Sequence, residues 1–125
     1  TYRPSKKPAI FVATGTGIAP FLSIVSGGVT DFTLLHGVRT AKSLHYEDIF
    51  RRTACAYIPC ISATPAEAGS CKNVFHGKVG HYLAQHLPAG IYDFYLSGRQ
   101  EMVRDVTLLV DERFSGSLIY SEIFY

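Results

Sequence analysis

The stretch FVATGTGIAP, residues 11–20, decides the fold. An apolar run stops at two glycines and two threonines, and Pro20 then stands where the first turn of a helix tolerates a missing N–H. The pattern predicts a strand, a tight turn and a helix. Glycine allows both a sharp turn and the close approach of a phosphate, and a helix start supplies N–H donors. These residues alone leave a phosphate-binding turn and a plain turn both open.

Strands and helices alternate along the rest of the chain. This order predicts an α/β fold, a doubly wound sheet of five parallel strands with helices on both faces. Pro59 within the third strand indicates an edge position, Gly98 is expected to end the fourth strand, and Ser43 is expected to cap the second helix. The predicted strands are residues 8–13, 31–38, 54–61, 91–96 and 117–124, and the predicted helices are residues 20–26, 44–52, 78–87 and 100–114.

Composition narrows the class of protein. The chain has 125 residues, is 47% hydrophobic and carries a net charge of +2 without a basic block, which fits one compact domain and gives no sign of nucleic-acid binding. No apolar run is long enough for membrane insertion. Cys55, Cys60 and Cys71 form no CxxC pair, which favours a reducing, cytoplasmic location. The five histidines lack metal-ligand spacing, so no metal is expected, and no G-x-S-x-G nucleophile motif occurs.

Ligands of doubly wound sheets bind at the carboxyl ends of the strands. The residues that follow the predicted strands, at positions 14–20, 37–40, 62–64 and 97–102, are therefore the expected binding residues. The unusual glycines, hydroxyls and charges of the sequence lie in these segments.

Four motifs in order along the chain resemble the ferredoxin–NADP reductase family. They are TGTGIAPF (residues 14–21), LHGVRT with the following LHY (35–40 and 44–46), YLSG with the following EMV (95–98 and 101–103), and SEIFY (121–125). The likeness extends from about Pro8 to Tyr125. Members of this family include oxygenase reductases, flavodoxin reductases and cytochrome b5 reductases.

The resemblance implies an NAD(P)H-binding domain over residues 8–125, with strand order 3-2-1-4-5. Residues 1–7 would be the tail of a missing FAD-binding barrel domain. It implies a flavin-dependent oxidoreductase in which NAD(P)H gives a hydride to FAD, and electrons pass on to an iron–sulfur, haem or flavodoxin acceptor. This chain would be the nucleotide-binding part and inactive alone.

The resemblance also implies roles for individual residues. Ser97 stands where the family usually has cysteine, beside the nicotinamide, and Glu122 matches the family's acidic residue near the flavin. Phe124, or Tyr125, would cover the flavin ring. The implied catalytic residues are Thr16, Ser97 and Glu122, and the implied cofactor-binding residues are Thr14, Gly15, Thr16, Gly17, Pro20, Arg39, Ser62, Gly98, Met102, Phe124 and Tyr125.

The choice between NADH and NADPH depends on the end of the third strand. NADPH-dependent members commonly have a Ser-Arg pair there, whose arginine contacts the 2′-phosphate. Here the pair is Ser62-Ala63. Lys72 and Lys78 are the other candidate cations, and no acidic residue closer than Glu67 would repel a phosphate. The sequence therefore predicts NADH as the preferred cofactor.

Two other readings stay open. A regulatory or subunit module could bind a nucleotide through residues 15–17 without hydride transfer, and serine at position 97 fits this alternative. A flavodoxin-like FMN module would need a longer phosphate loop than Thr14-Gly15-Thr16, and fits less well.

Overall fold

The structure, a computed structural model, describes residues 6–63 and 74–124. Within these residues the strands are β1 (Ala9–Thr14), β2 (Phe32–Val38), β3 (Ala56–Ile61), β4 (Phe75–His76), β5 (Asp93–Arg99) and β6 (Leu118–Phe124). The α-helices are α1 (Ala19–Ser26), α2 (Glu47–Thr53), α3 (Val79–His86) and α4 (Gln100–Arg113), and short 3₁₀ turns cover Gly15–Ile18 and Ala41–Ser43.

All strands are parallel and form one sheet of order β4-β3-β2-β1-β5-β6. The predicted class, a doubly wound parallel sheet, is confirmed, and the five predicted strands lie in the expected order. The prediction of five strands was wrong, because β4 adds a sixth outside β3. This strand is only two residues long, which is too short to give a periodic pattern in the sequence.

Helices pack on both faces of the sheet. Helices α1 and α2 cover the face on which Phe11 stacks between Phe21, at a ring distance of 4.8 Å, and Phe32, at 4.6 Å. Helices α3 and α4 cover the other face, where Val12, Leu35 and Leu96 meet their apolar sides. Burial on both faces explains why β1 is a continuous apolar run and does not alternate.

Several predicted boundaries were wrong. Gly98 does not end its strand, since β5 continues to Arg99 and is paired there with β6. Ser43 belongs to a 3₁₀ turn, and α2 begins four residues later with Tyr46, in the left-handed conformation at φ 64°, as its N-cap. Pro59 does not mark the outermost strand, but β4 pairs only with residues 60 and 61 of β3 and leaves position 59 without a strand on that side.

No helix in the described part of the chain is long and apolar enough to cross a membrane.

A histidine lies in the core. His36 of β2 is 0% exposed, whereas His45, His76, His81 and His86 are exposed. Burial disfavours the charged imidazolium and lowers the pKa of His36 from 6.5 to about 4; a hydrogen bond to Gly15 opposes this effect, and the charge of His45 adds to it. His36 is therefore neutral at physiological pH.

The free energy of unfolding should depend on pH through His36. Between pH 6.5 and about 4 the unfolded chain binds a proton at His36 that the folded chain does not bind, so this contribution is complete above pH 6.5 and is lost as the pH falls. The total loss is roughly 3 kcal/mol. Urea unfolding of the wild type and of His36→Gln across this range measures the difference. Equal pH dependence of the two proteins would contradict the assignment.

Candidate functional site

The carboxyl ends of the strands surround a cleft of about 650 Å³. The cleft lies on the side of the sheet that α3 and α4 cover, at the end of β1. The strand order reverses at β1, because β2 lies on one side of it and β5 on the other. This is the switch point at which doubly wound sheets bind ligands. Residues at or just after the ends of four strands line the cleft together: Thr14, Gly15, Arg39, Ser62 and Arg99, with Lys78 from the start of α3 and Met102 and Asp105 from α4.

The turn after β1 is a 3₁₀ turn that continues directly into α1, with Pro20 as the second residue of the α-helix. Gly15 opens the turn in the left-handed conformation, at φ +52°, which glycine adopts without strain. It is exposed, and no heavy atom lies within 4 Å of where a Cβ would stand. Gly15 therefore leaves space for a ligand to approach the backbone.

Gly17 has a different role from Gly15. It is buried, and a Cβ at this position would overlap the carbonyl group of Ser97 and the Cα of Gly98. The turn thus lies directly on the end of β5. Gly17 is required by this close packing, whereas Gly15 is the glycine that faces the cleft.

The side chain of Thr14 also connects the end of β1 to the end of β5. The Arg99 N–H donates a hydrogen bond of 3.0 Å to Thr14 Oγ1, and a Cβ on Gly98, whose φ is +152°, would overlap that hydroxyl. One lone pair of the Thr14 hydroxyl is therefore used inside the protein, while its proton remains available for a ligand.

His36 holds the turn from the other side. Its Nε2 lies 3.2 Å from the Gly15 carbonyl oxygen, and its Nδ1 is buried without a hydrogen-bond partner among the described residues. Because a carbonyl only accepts, Nε2 carries the proton. No role for His36 was predicted from the sequence, although a polar residue near the end of an apolar strand was a signal for one.

The cleft lining carries more cations than acidic residues, which favours an anionic ligand. Arg39, Lys78 and Arg99 line the cleft, whereas Glu101 and Asp105 stand along α4. Arg99 was missed in the sequence, although it lies in the segment 97–102 where binding residues were expected. Arg39 was predicted as a binding residue and Lys78 was one candidate cation, and the structure places Arg99 at the cleft beside them.

Two less polar residues complete the cleft wall. Met102 is 8% exposed and belongs both to the core and to the lining. Cys60 is fully buried, and burial raises the pKa of its thiol to about 12. The Cys60 thiol is therefore protonated and has no nucleophilic character at physiological pH.

A second pocket of about 290 Å³ lies on the α1 side of β5. Its wall includes Pro20, Ser97 and Glu122, and Ser97 pairs with Glu122 across β5 and β6. Ser97 is 2% exposed, and its Oγ has no hydrogen-bond partner among the described residues. Tyr120 stacks on Tyr95 at 4.7 Å beside it.

The predicted site residues therefore form two groups on either side of the Gly17–Gly98 contact. Thr14, Gly15, Arg39, Ser62 and Met102 line the larger cleft, and Pro20, Ser97 and Glu122 line the smaller pocket. Thr16 is exposed in the turn.

The structure says less about the predicted site residues at the C-terminal end of the chain. Phe124 is the last residue of β6, with its backbone opposite Arg99. Tyr125, Lys72 and Glu67 lie outside the described residues. Within the described residues, no group of three or more potential metal ligands occurs.

Comparison with known proteins agrees with this architecture. The family described as oxidoreductase NAD-binding domain matches residues 11–107. No curated protein matches. Solved structures do: the FAD/NAD-binding domain of nitric oxide dioxygenase from Vibrio cholerae O1 biovar El Tor has a TM-score of 0.76 at 18% identity, over 98% of this chain and 53% of that one.

Two further structures show the same fold. An Amycolatopsis cytochrome P450 reductase has a TM-score of 0.77 at 22% identity and covers 94% of this chain. A ferredoxin reductase in carbazole 1,9a-dioxygenase has a TM-score of 0.73 at 17% identity and covers 99% of it. The chain spans 38% and 40% of these two proteins.

The resemblance to the ferredoxin–NADP reductase group is thus confirmed, since the family match covers most of the chain and two of the three structures with the same fold are reductases. This chain belongs to the family of oxidoreductase NAD-binding domains.

Proposed function

We propose that this chain binds NADH and positions its nicotinamide for hydride transfer to FAD on a neighbouring domain of a larger reductase. The observation that carries the proposal is the cleft at the switch point, where an exposed glycine turn, strand-end hydroxyls and three cations meet. Electrons would then pass to an iron–sulfur, haem or flavodoxin acceptor.

The described residues fit a dinucleotide. Gly15 offers backbone without a side chain next to the cations Arg39 and Arg99, which suits a pyrophosphate. Ser62 and Met102 line the remainder of the larger cleft and suit the adenosine half. The unpartnered hydroxyl of Ser97 suits a polar group on the nicotinamide side, because a buried hydroxyl gains most from a new hydrogen bond.

The contribution of this chain to the reaction is positioning. FAD, when bound, accepts the hydride and divides the electron pair for the acceptor. Thr16 and Ser97 would orient the nicotinamide, and Glu122 would stand at the flavin side. Orientation of this kind lowers the barrier because the reacting groups no longer have to find each other. The roles of Phe124 and Tyr125 at the flavin remain predictions.

The proposed preference for NADH rests on the two residues that follow β3, Ser62 and Ala63. The Ser62 and Ala63 N–H groups donate to the carbonyls of Val38 and Arg39, both at 3.0 Å, so this loop is fastened to the end of β2. Ala63 stands where an arginine would contact a 2′-phosphate. Lys78 is the cation on the adjoining wall of the cleft.

NADH should bind this chain about tenfold more tightly than NADPH, because the 2′-phosphate of NADPH would lose hydration in the cleft without an arginine contact in return. A tenfold difference corresponds to about 1.4 kcal/mol. Titrations followed by amide chemical shifts of Gly15, Gly17 and Gly98 measure both affinities. Lys78→Ala tests the remaining cation, and Lys42→Ala, an exposed lysine outside the cleft lining, is the matched control. Tighter binding of NADPH that is lost in Lys78→Ala but kept in Lys42→Ala would contradict the preference.

Ser97 should affect the hydride step more than binding. In the FAD-loaded reductase containing this chain, Ser97→Ala should slow flavin reduction by NADH about tenfold and raise the dissociation constant by less than that, because the hydroxyl orients the bound nicotinamide for hydride transfer. Ser97→Cys, which introduces the residue usual in the family, should retain the rate. Stopped-flow flavin absorbance measures it.

The rate of flavin reduction also distinguishes the proposed function from the alternative function. A protein that binds NADH at the glycine turn but never reduces flavin would be a nucleotide-binding regulatory module. If the flavin in the Ser97→Ala variant is reduced at the wild-type rate, Ser97 is not a catalytic residue.

A further inference from the structure

We infer that His36 is a positioning residue that fixes the direction of the Thr16 N–H and so prepares the turn for a phosphate group. The inference rests on the proposed binding of a dinucleotide. His36 itself is buried and does not touch the ligand. It acts through the carbonyl group of Gly15.

Within the 3₁₀ turn, packing against neighbouring residues constrains Gly15 less than Gly17. Gly17 is fixed because it packs directly on Ser97 and Gly98. Gly15 has neither a side chain nor a neighbour within 4 Å of its Cβ position, and glycine is the least restricted residue. The hydrogen bond from His36 Nε2, at 3.2 Å, is the side-chain contact that holds this end of the turn.

The geometry of the peptide group transmits this constraint. The peptide unit is planar and trans, so the Gly15 carbonyl and the Thr16 N–H point in opposite directions. The Gly15 carbonyl is directed at His36, which is 0% exposed. The Thr16 N–H is therefore directed away from the core, on the exposed side of the turn. An N–H group held in place before binding costs less to engage than one that must be ordered.

Stability alone does not explain a histidine at this position. Phe32 and Leu34, the preceding residues of β2 on the same face, are apolar and buried. The bare Nδ1 of His36 is buried without a hydrogen-bond partner among the described residues, and such a group is unfavourable. An apolar side chain would avoid this cost but would lose the bond to Gly15.

Three variants separate the donor from the volume of the side chain. His36→Gln places an amide N–H near the position of Nε2 and keeps the donor. His36→Asn carries the same amide but reaches only to the position of Nδ1. His36→Leu keeps the volume and removes every donor. Gln and Asn are thus a matched pair that differ in reach.

NADH and adenosine are the probes, because only NADH carries the pyrophosphate. His36→Leu and His36→Asn should weaken NADH binding to this chain about tenfold, equivalent to about 1.4 kcal/mol. His36→Gln should stay within about twofold of the wild type, and adenosine binding should not change in any variant. NADH affinity that is unchanged in His36→Leu would overturn the inference, and so would equal loss of adenosine and NADH affinity, which would indicate general damage.

Residual dipolar couplings of the Thr16 N–H, measured without ligand, report its direction independently. The coupling should change in His36→Leu and His36→Asn and return to the wild-type value in His36→Gln. The same coupling in all four proteins would overturn the inference even if every variant folds. Failure of the wild-type chain to bind NADH would instead overturn the proposed function, while the couplings would still decide whether His36 fixes the turn.

Discussion

The site depends on direct contact between the turn after β1 and the end of β5. Gly17 lies so close to Ser97 and Gly98 that no side chain fits between them, and Thr14 bonds the Arg99 amide on the other side. Residues next to this contact along the chain line both cavities: Gly15 and Arg99 line the larger cleft, and Pro20 and Ser97 line the smaller pocket.

The sequence predicted the architecture well because both sheet faces are buried. Burial requires continuous apolar strands separated by amphipathic helices, and this pattern is visible without a structure. The features that were not predicted from the sequence are local ones. β4 is too short to show a period, and Gly98 was interpreted as a break because the sequence does not show that a neighbour's hydroxyl occupies the space of its Cβ.

The site was predicted unevenly for a related reason. Cleft-lining residues at the ends of strands, such as Thr14 and Ser62, could be placed because parallel strands bring their carboxyl ends together. The separate tasks of Gly15 and Gly17 could not be distinguished, since both are simply glycines in a turn. His36 escaped because its contact with Gly15 spans 21 positions, and only the register of β1 against β2 brings the two together.

The bond between Thr14 and Arg99 joins residues 85 positions apart. During synthesis from the N-terminus, β1, β2 and β3 can pair and bury part of one face before β5 leaves the ribosome, but the cleft has no far wall until then. The cleft is therefore complete only when β5 has joined the sheet, since its wall includes Arg99 at the end of that strand.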